Sequence, residues 1–342
     1  MKLLCSILFI AGVLFGNESQ AQVLDQMSHN GITREFYYYT PSTWNGTDHL
    51  PLLIVLHGLT QTGAGVMTIT DFNAIAEANN FIVVYPDGIN NAWNANMNVS
   101  VSQEDDLGFI EQLATHFQTD FSTNPLRQYL CGFSNGGFMS HKIACESSMC
   151  FAGIATVSGG MSDTVYQNCN PSYAPNILHI HGTADAVVPY LGSITIGVSV
   201  DDMLEFWQNH LTCDLTPTFN AMPNPNLLDL SHPERYTYTN CTPQGQLELI
   251  KVVGGGHQWP GISTLVGGVG TINMDFYSPQ EIWDFLDGRE CPDTADVTDL
   301  EHDAKTVIAI YDLLGRETIF KPNTPLLYQY SDGSVEKKMT LE

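Results

Sequence analysis

Short apolar runs alternate along the chain with longer segments in which apolar residues recur every three or four positions. A short apolar run is typical of a buried strand, and the longer spacing is typical of one face of a helix, as Leu107, Ile110 and Leu113 illustrate. The predicted strands are residues 52–56, 81–85, 128–131, 151–157, 177–180 and 247–253, and the predicted helices are residues 66–79, 104–117, 137–146 and 200–210.

Strands and helices in this succession predict an α/β fold with a mostly parallel central sheet and helices on both faces. A hairpin around residues 32–40 and a closing helix over residues 278–286 complete the predicted domain, which occupies residues 22–291. Residues 292–305 are rich in Asp, Thr and Ala and predict a linker, and residues 306–342 predict a short C-terminal β appendage. The strands predicted in that appendage are residues 306–311, 327–330 and 335–341.

The first 21 residues predict a secretory signal peptide. Lys2 gives a positive start, residues 3–15 form an apolar run, and Ser19-Gln20-Ala21 offers a small-x-small cleavage site. The run is well short of the roughly 20 apolar residues that a membrane-spanning helix needs. We therefore expect a secreted protein without stable membrane insertion.

The cysteines agree with export, because disulfides persist in oxidising compartments. Cys131 lies in an apolar strand-like run and is expected to be unpaired. Cys213 and Cys241 flank residues 214–240, a segment rich in Pro and Asn without clear periodicity, and we expect a disulfide between them. The remaining cysteines after the signal peptide allow three pairings, among which the sequence does not choose: Cys145, Cys150, Cys169 and Cys291.

Composition and charge exclude some classes of function. The chain of 342 residues is 43% hydrophobic, which is enough to fill a substantial core. Lys and Arg number 12 against 37 Asp and Glu, and the formal net charge is -25. A surface this acidic repels phosphate backbones, and no cluster of basic residues makes a local exception, so nucleic acid is excluded as a partner.

A Gly-x-Ser-x-Gly motif at residues 132–136 supplies the candidate nucleophile, Ser134. The motif lies where the strand ending at Cys131 meets the next predicted helix, the setting in which such a serine sits on a sharp turn. Glycine is needed at positions 132 and 136 because side chains there would collide with neighbouring elements. The helix N-terminus brings backbone N–H groups beside the serine, where they can stabilise an oxyanion.

A serine hydroxyl needs a base, and in this fold the order along the chain is Ser, then Asp or Glu, then His. Asp185 follows a predicted strand directly and is the candidate acid. His257, after three glycines and a predicted strand, is the candidate base. The rivals come before the residue they should follow or lie inside a strand: Asp87, Asp105, Asp106, His179 and His181.

The oxyanion donors are expected to be the backbone N–H groups of Asn135, directly after the nucleophile, and Leu59, after the first core strand. Thr60 is the near alternative to Leu59 and a candidate pocket residue. Trp93 and Trp259 are predicted to line the substrate pocket, since aromatic faces suit a feruloyl ring or a polymer chain, with core packing as the competing interpretation. We expect two-step acyl transfer without a metal or an organic cofactor.

Four motifs in this order resemble the polyhydroxybutyrate depolymerase and feruloyl esterase family of α/β-hydrolases. They are residues 56–58, residues 132–137, residues 181–185 with residues 188–190, and residues 254–261. The resemblance covers about residues 33–285 and implies a secreted serine esterase acting on hydroxyalkanoate polyester or on aromatic or acetyl esters of plant cell-wall polysaccharide. The alternatives are an acetyl xylan esterase and a non-catalytic binding protein on a hydrolase scaffold, and the intact Ser134, Asp185 and His257 argue against the latter.

The C-terminal segment has a resemblance of its own. Residues 310–317, Tyr328, residues 331–333 and residues 337–338 look like the sorting signal of the type IX secretion system of Bacteroidetes. The resemblance implies that secretion machinery binds this segment and carries the protein across the outer membrane. A small accessory β module is the competing interpretation.

Overall fold

The computed structural model describes residues 22–98, 102–241, 245–263, 268–292, 307–312, 315–316, 318, 326–330 and 335–338. These residues fall into two compact units, one ending at Cys291 and the other beginning at Pro292. The predicted signal peptide and residues 331–333 of the tail motif lie outside the described residues. Within the described ranges, no helix combines the length and the apolar character that crossing a bilayer requires.

A mostly parallel sheet forms the centre of the first unit. Its ten described strands are β1 (Val23–His29), β2 (Ile32–Tyr39), β3 (Leu52–Leu56), β4 (Ile82–Pro86), β5 (Gln128–Phe133), β6 (Gly153–Val157), β7 (Asn176–Gly182), β8 (Thr218–Ala221), β9 (His232–Tyr238) and β10 (Leu247–Val253). Their spatial order is β1-β2-β4-β3-β5-β6-β7-β10-β9-β8. The six strands from β4 to β10 in this order pair in parallel, and the strands outside them pair antiparallel. The predicted α/β class with a mostly parallel sheet is confirmed.

Helices cover both faces of this sheet. They are α1 (Gly63–Thr70), α2 (Phe72–Asn79), α3 (Asp106–Asp120), α4 (Asn135–Glu146), α5 (Asp163–Asn168), α6 (Val200–His210) and α7 (Ser278–Leu286). The apolar run of β3 divides between two cores, because successive strand residues point to opposite faces. Leu52, Ile54 and Leu56 pack with residues of α3, α4 and α6, while Leu53 and Val55 pack with residues of α1, α2 and α7.

The structure corrects three of the predicted elements. The helix predicted over residues 66–79 is two helices, because Asp71 between them has a left-handed backbone with φ of 52°. The hairpin predicted around residues 32–40 begins earlier, with β1, and turns at Asn30-Gly31, where both residues have positive φ. Residues 214–240, in which no periodicity was apparent, contain β8 and β9, which extend the sheet at one edge.

Among the described residues of the first unit, disulfides link three cysteine pairs. Cys213–Cys241 is present and Cys131 is free and buried, so both cysteine predictions are confirmed. The sequence left the other pairing open, and the structure gives Cys145–Cys169 and Cys150–Cys291. The latter joins residues 141 positions apart and ties the end of the unit to its middle.

We expect loss of the Cys150–Cys291 disulfide to cost more stability than loss of Cys145–Cys169, because a longer closed loop restricts the unfolded chain more. Replacing both Cys150 and Cys291 by serine should lower the free energy of unfolding by about 5 kcal/mol. Replacing both Cys145 and Cys169 by serine should lower it by about 3.5 kcal/mol. Denaturant unfolding of the two double variants beside wild type measures both. The reverse order of stability would contradict the prediction.

The second unit contains three described strands, β11 (Val307–Tyr311), β12 (Leu326–Tyr330) and β13 (Val335–Lys338). They form an antiparallel sheet in the order β11-β12-β13. The predicted short β appendage is therefore present. The predicted strands at residues 306–311, 327–330 and 335–341 overlap β11, β12 and β13, and the described bounds of β11 and β12 agree with the prediction within one residue at each end.

Candidate active site

Ser134 lies between β5 and α4 in a backbone conformation that residues other than glycine rarely adopt, with φ of 52° and ψ of −119°. The turn is tight on both sides. A Cβ at Gly132 would lie 2.2 Å from the carbonyl oxygen of Gly136, and a Cβ at Gly136 would lie 2.2 Å from that of Leu56. Glycine at both positions therefore allows β5 to turn directly into α4 and leaves the serine at the carboxyl end of the strand.

Asp185 and His257 meet because β7 and β10 are parallel neighbours and both residues follow the carboxyl ends of these strands. The imidazole Nδ1 of His257 lies 2.8 Å from Oδ2 of Asp185. The other carboxylate oxygen, Oδ1, accepts hydrogen bonds from the backbone N–H groups of Val187 at 2.9 Å and Val188 at 2.8 Å. The carboxylate is thus held on both oxygens and fixes the imidazole.

The surroundings keep the Asp185 carboxyl ionised. Burial by itself raises the pKa of this carboxyl, but the hydrogen bond from His257, the electrostatic interactions with His257 and His181 and the N–H of Val188 outweigh it and lower the pKa below its ordinary value. An ionised carboxylate accepts a hydrogen bond from the Nδ1–H of His257. The other ring nitrogen, Nε2, then carries the lone pair that a general base needs.

Ser134 and His257 line the same cavity, which has a volume of about 250 Å³. The ring of Phe133 packs against that of His257 with 4.9 Å between centroids. The rest of the wall is mainly apolar, and the remaining described lining residues are Gly58, Leu59, Thr60, Gln61, Met97, Asn135, Val187, Val188 and Ile196. A serine and an imidazole that share an apolar cavity can act on an uncharged acyl group.

The two predicted oxyanion donors also face this cavity. Asn135 begins α4, so its N–H is one of the helix N-terminal groups without an intrahelical acceptor. The N–H of Leu59 has no acceptor among the described residues, whereas the N–H of Thr60 donates to the carbonyl oxygen of Asn91 at 2.8 Å. The structure thus favours Leu59 over Thr60 as the second donor and leaves Thr60 as a lining residue.

The two tryptophans do not line the cavity as expected. Trp93 is fully buried in the core, where its backbone N–H donates to Oδ1 of Asn135 at 2.7 Å and its Nε1 donates to the carbonyl oxygen of His57 at 2.9 Å. Trp259 is 3% exposed and stacks on Phe133 behind the cavity wall. Both tryptophan rings therefore pack in the core behind the cavity wall, which is the competing interpretation given for them above.

The rival acids have structural partners. Oδ1 of Asp87 accepts the N–H of Gly63 at 2.6 Å, and Asp105 caps α3. Asp106 is buried and pairs with Arg34 at 2.6 Å. The rival His179 and His181 lie on β7, and neither lines the cavity formed by the described residues.

Sequence reasoning missed most of the apolar cavity wall. Met97, Val187 and Ile196 lie in loops, where no periodicity marks the residues that face a pocket. A local signal existed for the two N–H groups that hold Asp185, because an aspartate after a strand commonly accepts hydrogen bonds from backbone groups two and three residues further on.

Comparison with known proteins agrees with this geometry. Residues 45–215, half of the chain, match the model of the Phospholipase/Carboxylesterase family. A bifunctional acetylxylan esterase/xylanase of Neocallimastix patriciarum is 25% identical over 268 residues, 77% of this chain and 34% of that protein. Poly(3-hydroxyalkanoate) depolymerase C of Paucimonas lemoignei is 30% identical over 45% of this chain and 39% of its own length. Feruloyl esterase C of Emericella nidulans is 32% identical over 116 residues, which are 34% of this chain and 39% of that protein.

The chain therefore spans little more than a third of the length of these three relatives. Among solved structures, the acetyl xylan esterase from Aspergillus awamori superposes with a TM-score of 0.53 at 16% identity, covering 77% of this chain and 98% of that one. Thermogutta terrifontis esterase 2 gives a TM-score of 0.50 at 11% identity, covering 78% and 93%. At such identities the likeness shows the fold, which is that of the α/β-hydrolases.

Proposed function

Because the chain belongs to the Phospholipase/Carboxylesterase family, we propose that it is a serine carboxylic-ester hydrolase with Ser134 as nucleophile, His257 as general base and Asp185 as the acid that orients the base. The observation that carries the proposal is the hydrogen bond of 2.8 Å between His257 and Asp185 beside a cavity that Ser134 also lines. The strained turn of Ser134 and the free N–H groups near it supply the remaining parts of an acyl-transfer site.

The reaction proceeds in two steps. The Ser134 hydroxyl oxygen bonds to the ester carbonyl carbon while its proton moves to Nε2 of His257, and the N–H groups of Leu59 and Asn135 stabilise the oxyanion. The alcohol leaves with that proton, and the acyl group stays on Ser134. Water then attacks the acyl-enzyme, gives one proton to His257 and releases the carboxylic acid as the serine regains its hydrogen.

The substrate class we propose is an uncharged ester, a feruloyl ester of cell-wall polysaccharide or a hydroxyalkanoate polyester. What supports it is the mainly apolar cavity wall and the similarity to the feruloyl esterase and the depolymerase. The second candidate is an acetyl ester of xylan, which is favoured by the similarity to the acetylxylan esterase/xylanase over 77% of this chain. Parallel assays on methyl ferulate, polyhydroxybutyrate film and acetylated xylan distinguish the three.

An activated serine can be tested without knowing the substrate. We expect an organophosphate such as paraoxon to modify the protein once and to abolish hydrolysis of a chromogenic acetate ester, because a nucleophilic serine beside a base attacks phosphorus as it attacks carbon. Peptide mass spectrometry should locate the added group on Ser134. Hydrolysis that persists after full modification, or a group on another residue, would contradict the proposal.

Export from the cytoplasm belongs to the same proposal. What supports it is the three disulfides of the first unit, since such bonds persist in oxidising compartments and are rare in the cytosol. We propose that residues 306–342 serve as the sorting segment that secretion machinery binds, on the strength of the sequence resemblance described above.

A further inference from the structure

A continuous series of buried polar side chains leads from α6 through the core to the candidate acid. Nε1 of Trp207 lies 3.3 Å from Nδ1 of His141, and Nε2 of His141 lies 3.4 Å from Oγ1 of Thr156. That hydroxyl lies 2.8 Å from Nδ1 of His179, whose Nε2 lies 3.0 Å from Nδ1 of His181. All five side chains are essentially inaccessible to solvent, and the acyl-transfer steps use none of them.

The two ends of this histidine chain fix the direction of every hydrogen bond in it. An indole N–H can only donate, so Nδ1 of His141 accepts from Trp207. At the other end, Nε2 of His181 lies 2.9 Å from the carbonyl oxygen of Val188, which can only accept, so His181 donates there. Working inward from either end gives the same assignment, in which His141, His179 and His181 each carry their proton on Nε2 and Thr156 donates to His179.

The three imidazoles are neutral in this assignment, since each accepts at Nδ1. Their burial is consistent with that state. It lowers the pKa of His179 and His181 below the ordinary value for histidine, and it lowers the pKa of His141 to about 3. Every hydrogen bond of the histidine chain therefore donates in the same direction, from Trp207 toward His181, and the last N–H, on Nε2 of His181, lies near Asp185.

His181 contacts the candidate acid in two ways. Its Nε2 lies 3.5 Å from Oδ2 of Asp185, the oxygen that accepts from His257. Its stronger hydrogen bond goes to the carbonyl oxygen of Val188, the residue whose N–H donates to Oδ1 of Asp185. One N–H of His181 thus fastens the loop that holds the carboxylate and also faces the carboxylate itself.

We propose that His181, held in its Nε2–H tautomer by the chain from Trp207 and by the carbonyl oxygen of Val188, is a positioning residue that fixes the Asp185 carboxylate and limits the negative charge that this carboxylate presents to His257. This inference rests on the proposed function, because it assigns His181 a role in the same acyl-transfer site. Other ionisable groups near His181 are arranged around Tyr190, whose ring packs edge-to-face with that of His181 at 5.8 Å between centroids. The hydroxyl of Tyr190 donates to Asp201 at 3.2 Å, and the ammonium of Lys251 lies 5.3 Å from the ring centroid.

Two variants of nearly equal size test the role of His181. His181→Gln retains an N–H that can occupy the position of Nε2, whereas His181→Met has no donor. In His181→Met the carboxylate loses a donor, so protonated His257 becomes more favourable and the acidic limb of kcat/KM moves to higher pH, by about 0.5 unit, with a loss of rate of about tenfold. In His181→Gln the midpoint of that limb should stay within about 0.2 unit of wild type.

A purely structural role would lower the melting temperature of both variants and leave the acidic limb where it is. The proposal is overturned if the limb of His181→Met keeps the wild-type midpoint or moves to lower pH, or if the two variants share one midpoint. An inactive wild-type protein would instead contradict the proposed function, so the two failures are distinguishable.

The tautomers are measurable without turnover. Nitrogen-15 chemical shifts of the imidazole rings in the full-length wild-type protein distinguish an N–H nitrogen from an unprotonated one. In wild type we expect three neutral histidines with the proton on Nε2. In Trp207→Phe, Nδ1 of His141 has lost its donor from α6, so a change of tautomer is expected at His141, while the carbonyl oxygen of Val188 still keeps the proton of His181 on Nε2. A proton on Nδ1 of His179 or His181 in wild type would overturn the chain.

Discussion

Replacing Ser134 by alanine is expected to lower kcat for a chromogenic acetate ester by about a millionfold, to the level that binding and the oxyanion donors alone support. Without the Ser134 hydroxyl the proposed acyl-enzyme cannot form, so the burst of product that its formation gives before steady turnover should also disappear. Alanine can adopt the same backbone conformation without adding atoms to the tight turn. Stopped-flow and steady-state assays on the two proteins measure both effects.

Ser158 provides a matched control for this variant. It follows β6, the neighbouring strand in the sheet, and it is buried with φ of 50°, close to the 52° of Ser134. Its hydroxyl has no hydrogen-bond partner among the described residues. Ser158→Ala should therefore keep wild-type turnover within about threefold, because the same atom is removed from a similar turn outside the reacting groups. An equal loss of turnover in both variants would show that Ser134→Ala acts through folding and not through the loss of a nucleophile.

The three residues of the candidate site could be predicted from the sequence because each of them follows the end of a predicted strand. Ser134, Asp185 and His257 each come directly after an apolar run or its glycines, and parallel strands bring their carboxyl ends to one edge of the sheet. The continuous apolar run of residues 52–56 likewise divides between two cores in the structure. Local pattern and global fold carry the same information at these positions.

The cavity wall was not accessible in this way. Trp93 was expected to face substrate, but its fully buried ring packs behind the site, and residues such as Met97 and Val187 form the wall. Which face of a loop points into a pocket depends on contacts between segments far apart in sequence. The same reason explains β8 and β9, which are only four and seven residues long and gain their order by pairing with each other and with β10.

The break between α1 and α2 has a different origin. The apolar spacing of residues 66–79 is helical throughout, so periodicity predicts one helix. Asp71 nevertheless adopts a left-handed backbone with φ of 52°, which ends the first helix and precedes the second. Aspartate tolerates this conformation better than most residues do, and packing of both short helices on the sheet outweighs the spacing.

Replacing Asp185 by asparagine is expected to lower kcat by about ten-thousandfold while KM changes little. The asparagine amide can turn its NH₂ group toward Nδ1 of His257, in which case the imidazole proton moves to Nε2, the nitrogen that should accept from Ser134. The variant also lacks the negative charge that stabilises the imidazolium formed during the reaction. Steady-state kinetics across the pH range of wild-type activity measure the loss.

Asp87→Asn is the matched control, since Asp87 is the rival acid and its role is structural. Its Oδ1 accepts the N–H of Gly63 at 2.6 Å, and an asparagine oxygen can accept the same hydrogen bond. This variant should keep kcat within about threefold of wild type. A ten-thousandfold loss in Asp87→Asn with near-normal turnover in Asp185→Asn would move the acid of the site to the loop after β4. It would also remove the reason for the buried histidine chain to end at Asp185, so this pair of variants tests both proposals at their common residue.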